Sequence, residues 1–150
     1  MLSDEVLQEL ASASENDLGR ALLEAARVVN AILFDQLVGL GHKAVRSAHT
    51  AVFSNLDPTG TRMVTLAQRA GVSRQAMSQL VRDLQIAGYV DVQPDPDDGR
   101  ATRVVLTDRG IAFCLDAARV IRELEQHWQQ LLGPGRLKEL RATLRALSQA

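Results

Sequence analysis

The chain has 150 residues, a formal net charge of −1 and hydrophobic residues at 46%, a length that suits one compact domain or two small lobes sharing a core. That composition excludes a disordered tail protein. The near-neutral balance excludes a protein that coats nucleic acid by bulk attraction, but not one whose arginines are concentrated at a site. The apolar runs are too short and too often broken by charge to span a bilayer. Met1 to Glu9 lacks the basic-then-apolar order of a secretory signal, and the single cysteine, Cys114, forms no internal disulfide; together these point to the cytoplasm.

Aromatic residues are only 3%, so the core is aliphatic and Ala-rich, which favours helix. Residues 1–15 are polar with a weak apolar pattern and read as a short helix or arm. From about Asp17 to Leu40, Leu18, Leu22, Ala25, Val29, Ile32, Leu33 and Leu37 recur at helical steps until Gly39 and Gly41. A second helix is expected over about His42 to Ser54, with Val45, Ala48 and Val52 on one face. Leu56 to Gly60 is a turn, and Thr61 to Met63 suits a very short strand. Two short helices follow, Val64 to Ala70 and Arg74 to Ala87, separated by Gly71 and with Ser73 as the N-cap of the second. Tyr89 to Val92 alternates like a strand, Pro94 to Gly99 is a loop, and Thr102 to Leu106 is the returning strand. Thr107 caps a long helix to about Leu132, Gly133-Pro134-Gly135 breaks it, and a last helix runs from about Arg136 to Leu147.

Function is carried by the middle of this order. In Leu66-Ala67-Gln68-Arg69-Ala70-Gly71-Val72-Ser73-Arg74-Gln75-Ala76-Met77-Ser78-Gln79-Leu80-Val81, two helices crossing steeply need a small residue at their contact, which Ala67 supplies. They also need a residue that tolerates positive φ in the turn, which Gly71 supplies. Leu66, Ala70, Val72, Met77 and Leu80 are spaced to lock the pair. Arg74, Gln75, Ser78, Gln79 and Arg82 then form an outer face able to bond base edges and phosphates in a major groove. The hairpin that follows projects like a wing. Asp98 is expected to pair with Arg100 and aim it at a minor groove.

Gly88-Tyr89-Val90, Asp95-Pro96-Asp97-Asp98-Gly99-Arg100-Ala101 and Val104-Val105-Leu106-Thr107-Asp108-Arg109-Gly110 resemble the wing signature of the MarR (multiple antibiotic resistance regulator) family of transcription factors. Residues 66–81 resemble the same family's helix-turn-helix. The resemblance implies a mainly α fold with a small β-hairpin wing, in which a winged helix-turn-helix DNA-binding lobe (42–106) joins a helical dimerisation lobe (1–41 and 107–150) in one unit, 1–150. It implies a homodimer on double-stranded DNA with a pseudo-palindromic operator, acting as a repressor of nearby genes, with Ser73, Arg74, Gln75, Ser78, Gln79, Arg82, Asp98, Arg100 and Arg103 at the interface. Gly99 stands where many relatives carry a basic residue, which shifts weight toward the recognition helix.

Dimerisation also follows from the residues alone: Cys114, Ala118, Ile121, Leu124, Trp128 and Leu131 recur at helical spacing on a long helix that one small chain cannot cover. Phe34, Arg46, His49 and Phe53 are expected to line a crevice for a small aromatic or anionic effector, as the resemblance implies. No cofactor is expected. His42 and His49, seven apart on the expected second helix, lack the further ligands of a metal site, and no catalytic constellation marks an enzyme. Two alternatives stay open: a winged-helix protein-interaction module without DNA, and an oxidant-sensing regulator acting through Cys114.

Overall fold

The computed structural model of the chain describes residues 3–15 and 17–149. Met1, Leu2, Asn16 and Ala150, which the expected arm or the expected 1–150 unit includes, lie outside the described residues. The elements run α1 (Asp4–Glu15), α2 (Leu18–Gly39), a 3-10 turn (Ser47–His49) leading into α3 (Thr50–Phe53), β1 (Thr61–Arg62), α4 (Met63–Ala70), α5 (Arg74–Ile86), β2 (Val90–Asp95), β3 (Asp98–Leu106), α6 (Asp108–Leu132) and α7 (Pro134–Leu147). The fold is mainly helical with a small antiparallel sheet, as the sequence predicts. No helix among the described residues is long and apolar enough to cross a membrane.

Local chemistry sets most boundaries. Asp17 is extended, and its carboxylate accepts the Arg20 N–H at 3.1 Å, satisfying one of the free donors at the start of α2. The hydroxyls of Ser73 and Thr107 cap α5 and α6 in the same way, accepting from Ala76 and Gly110. Pro134 opens α7 rather than preceding it, because a proline in the first turn gives up an N–H that has no helical partner anyway.

Two expectations are corrected. Residues 42–46 are not helical, and the expected second helix shrinks to the turn Ser47–His49 and the four residues of α3. Arg46 is extended, at φ −116° and ψ 164°. Val45 is buried from this loop, Val52 from α3, and Ala48 is exposed. The cause is tertiary: His42 is drawn inward, with Nδ1 3.0 Å from the Tyr89 hydroxyl and Nε2 3.0 Å from Asp116. Those contacts, 47 and 74 residues away along the chain, outweigh a helical spacing carried by small side chains. The second correction concerns the loop 94–99. It is mostly ladder: Pro94 faces Thr102, Asp95 faces Asp98 across a bulge, and only Pro96 and Asp97 turn the chain. The strand order is β1-β3-β2, so β2 is an edge, and an edge strand tolerates a proline whose missing N–H has no partner strand to reach.

The core lies in the winged part: Leu37, Val52, Leu66, Met77, Leu84, Tyr89 and Val104 are all within 1% of complete burial. Around Tyr89, the rings of His42, Phe53 and Phe113 pack edge-on or tilted, with centroids 4.4 to 6.5 Å apart. Tyr89 is also where α6 is fastened. The Thr107 hydroxyl donates to the Gly88 carbonyl at 2.6 Å, and Arg109 donates to the Ala87 carbonyl at 3.0 Å. The Arg109 guanidinium lies 4.6 Å from the Tyr89 ring centre. Gly110 passes so close to the Tyr89 carbonyl that a Cβ would sit 2.0 Å from its oxygen.

Outside this core the chain is thinly covered. α2 buries only Leu37 and α7 buries nothing, while Leu18, Leu23, Leu115, Leu131 and Leu147 are each half exposed or more.

Candidate nucleic-acid interface

Two buried faces orient the helix-turn-helix. Leu66 and Ala67 on α4 meet Met77, Val81 and Leu84 on α5, and every one of them is 3% exposed or less. Between the helices Gly71 adopts φ +65°, a left-handed conformation that costs a β-carbon-bearing residue about 1 kcal/mol or more. Val72, expected to help lock the pair, is exposed at 37%, because it lies in the non-helical connection, where helical spacing no longer governs its direction.

With that face inward, Arg74, Gln75, Gln79 and Arg82 stand exposed on the other side of α5 and Ser78 is half-buried among them. None of the ion pairs among the described residues uses Arg74, Arg82 or Arg100. Ser73 is committed to its cap. The Gln79 amide donates to Asp83 Oδ1 at 2.8 Å, and Arg46 Nη2 donates to Asp83 Oδ2 at 3.0 Å.

The wing is braced differently from the expectation. Asp98 does not form an ion pair with Arg100; its Oδ1 accepts the Arg100 backbone N–H at 3.1 Å, and its Oδ2 lies 3.7 Å from Arg62 Nη2. The strong pair is one the sequence reading missed, Arg62 Nε to Asp95 Oδ2 at 2.5 Å. Asp95 is nearly buried, and its other oxygen accepts the Asp97 N–H at 3.0 Å. That N–H and the Arg62 guanidinium together hold the Asp95 carboxyl below the usual aspartate value. Arg62 and Asp95 are 33 residues apart and meet only because β1 and β2 flank the same strand. The only sequence signal was the clustering of arginines in this region. Arg100 thus keeps its guanidinium free on an exposed, stiffened hairpin. Arg103 lies farther back, half-buried in β3 opposite Arg62 and Gln93, with its Nε buried and without a hydrogen-bond partner.

Residues 47–101, from the 3-10 turn through the wing, match the sequence model of the MarR family. No curated protein matches the chain in sequence. Among solved structures it is similar to a transcriptional repressor, CouR, bound to a 23-mer DNA duplex, with 23% identity over 91% of this chain and 95% of that one and a TM-score of 0.74. It is similar to the PcaV transcriptional regulator of Streptomyces coelicolor in complex with its natural ligand, at 22% identity over 91% and 94% with a TM-score of 0.69. MarR of E. coli in its apo form matches at 22% identity over 87% of this chain and 96% of that one, with a TM-score of 0.68. At these identities the likeness is one of fold.

The winged lobe meets α2 across a cavity of about 520 Å³ lined by Phe34, Ala31, Val38, Lys43, Val45 and Arg46, with Arg27, Asn30 and Ser47 at its polar side. Phe34 and Arg46 were expected there. His49 and Phe53 do not line it: His49 is buried at 1%, and Phe53 packs on Phe113 and Tyr89. Lys43 and Ser47 were missed because a continuous helix from His42 would have presented other residues. His49 Nδ1 accepts the Arg46 backbone N–H at 3.0 Å, and its Nε2 lies 3.8 Å from Asp83 without a hydrogen bond. Burial, with Arg46 nearby, pushes the His49 pKa down. His42 and His49 therefore do not share a helix, and among the described residues no group of three His, Cys, Asp or Glu is arranged to hold a metal ion. Cys114 is half-buried, and burial pushes its thiol pKa up, away from a reactive thiolate.

Proposed function

We propose that the chain is a sequence-specific DNA-binding transcriptional regulator, a cytoplasmic homodimer that represses nearby genes and is released by a small aromatic or anionic molecule. The observation that carries this reading is the pairing of an exposed α5 face, Arg74, Gln75 and Arg82, with a stiffened wing that leaves the Arg100 guanidinium uncommitted. Cations unpaired within the protein are available to phosphates and base edges. Residues 42–106 form the DNA-binding lobe, with Ser73, Arg74, Gln75, Ser78, Gln79, Arg82 and Arg100 at the interface, Asp98 shaping the wing and Arg103 in support. Residues 1–41 and 107–150 form the dimerisation lobe. The fold shared with CouR, solved on a DNA duplex, supports the docking mode, and the fold shared with PcaV, solved with its natural ligand, supports a ligand at the α2 cavity. The cavity's Phe34 beside Arg46 and Lys43 suits a flat anion.

A gel-shift titration against the intergenic DNA beside the chain's own gene, at several salt concentrations, tests the reading. Binding that weakens steeply with salt is expected, because each neutralised phosphate releases a counterion. Salt-insensitive association, or no shift at all, overturns it in favour of a protein-interaction module.

A further inference from the structure

Asp83 is an odd residue to find on a DNA-reading helix. It lies one turn beyond Gln79 on α5, where a carboxylate repels phosphate, yet both of its oxygens accept side-chain hydrogen bonds. Its Oδ1 takes the Gln79 amide at 2.8 Å, its Oδ2 takes Arg46 Nη2 at 3.0 Å, and buried His49 stands 3.8 Å off. Arg46 and His49 belong to the segment before α3, so Asp83 is held from outside its own helix.

An ionised carboxylate only accepts hydrogen bonds. The Gln79 side chain must therefore turn Nε2, not Oε1, toward Asp83, which resolves the two otherwise similar orientations of its amide. One N–H and the carbonyl oxygen are left over by this bond, the donor and acceptor that a glutamine offers to adenine N7 and N6. A free glutamine gives up rotamer freedom when it binds; one already tethered gives up less. The Arg46 guanidinium also offsets the carboxylate's charge at the surface.

We propose that Asp83 is a positioning residue for base recognition: it presets the Gln79 amide on the reading face of α5, and Arg46 presets Asp83. The proposal rests on the DNA-binding reading above and adds a residue that need not touch DNA. Arg46 also lines the α2 cavity, so the tether begins at the wall of that cavity.

The test is selection of duplexes from a randomised library by the full-length chain, comparing wild type with Q79A, D83A, D83N, R46M and the pair Q79A/D83A, each checked by thermal melting. Q79A is expected to erase the preference at one base pair of each half-site. D83A should weaken the preference at that same base pair by roughly 3- to 10-fold and leave the others. Combined with Q79A it should add nothing. D83N, neutral but still carrying a carbonyl acceptor, should keep the preference. R46M should weaken it in the same place, and it decides the matter if D83A does not fold. A change of affinity by one factor for every sequence means that Asp83 acts only through its charge and overturns the proposal, as does a D83N indistinguishable from D83A. Unaltered selection in D83A and R46M overturns the proposal while leaving the DNA-binding reading intact. A wild-type chain that selects no duplex overturns both.

Discussion

Arg74 and Arg100 are both exposed and unpaired among the described residues, yet their settings assign them different work. Arg74 is the first residue of α5, on the end of the helix that enters a major groove in a helix-turn-helix, so Arg74→Ala should cost about 1–3 kcal/mol and relax preference at one base pair. Arg100 sits on the hairpin, so Arg100→Ala should weaken binding evenly across sequences and lower the salt slope by about one. Competition binding with matched and mismatched duplexes at two salt concentrations separates them. His49 makes a prediction about acid. Its folded pKa lies below the ordinary 6.5 because burial disfavours the cation, with Arg46 adding repulsion and Asp83 opposing both. The unfolded chain therefore binds a proton first, and stability falls as pH drops below about 6.5 toward the folded value. Melting temperature should decline over that window, and His49→Gln, which keeps an acceptor for the Arg46 N–H without titrating, should decline less.

At the scale of elements, the boundaries set by local chemistry were legible: the caps Ser73 and Thr107, the left-handed Gly71 and the apolar face of α5 each act within a few residues. What escaped the sequence was set by distant partners. His42 abandons a helix for Tyr89 and Asp116, Asp95 finds Arg62 rather than the wing's own arginine, and Pro94 joins a ladder because β2 happens to be an edge. Within the candidate site, the exposed α5 face was readable from periodicity, whereas the hold on Asp83 by Arg46 was not, since it spans 37 residues and a misjudged loop. The close approach at the start of α6 gives a stability test. Gly110→Ala would drive a methyl into the Tyr89 carbonyl, and should cost about 3 kcal/mol or more in chemical denaturation, at the upper end of overpacking. Gly135→Ala, which meets nothing within 4 Å on α7, should be neutral or stabilising by up to about 1 kcal/mol.

For the whole molecule the question is what covers α2, α6 and α7. Leu140, Leu144 and Leu147 line up on α7, which buries none of its residues, and Ile121 and Leu131 are exposed on α6. A second copy of the chain would cover these stripes and bring two recognition helices into register with successive major grooves. Sedimentation at micromolar concentration should give about twice the 16.4 kDa chain mass, and Leu140→Asp with Leu144→Asp should return the monomer and reduce operator affinity by roughly tenfold or more. A stable wild-type monomer would refute the dimer. The fastening of α6 to the end of α5 has a mechanical consequence for such a pair. Thr107, Arg109 and Gly110 grip Ala87, Gly88 and Tyr89, the residues on which the recognition helix ends, leaving no slack between the two helices. In such a pair each α6 would work as the arm of a caliper whose jaw is α5. A change of a few degrees where two such arms cross would then be lengthened by the arm into a change in the gap between the jaws, and DNA of fixed helical repeat would be the gauge against which that gap is measured.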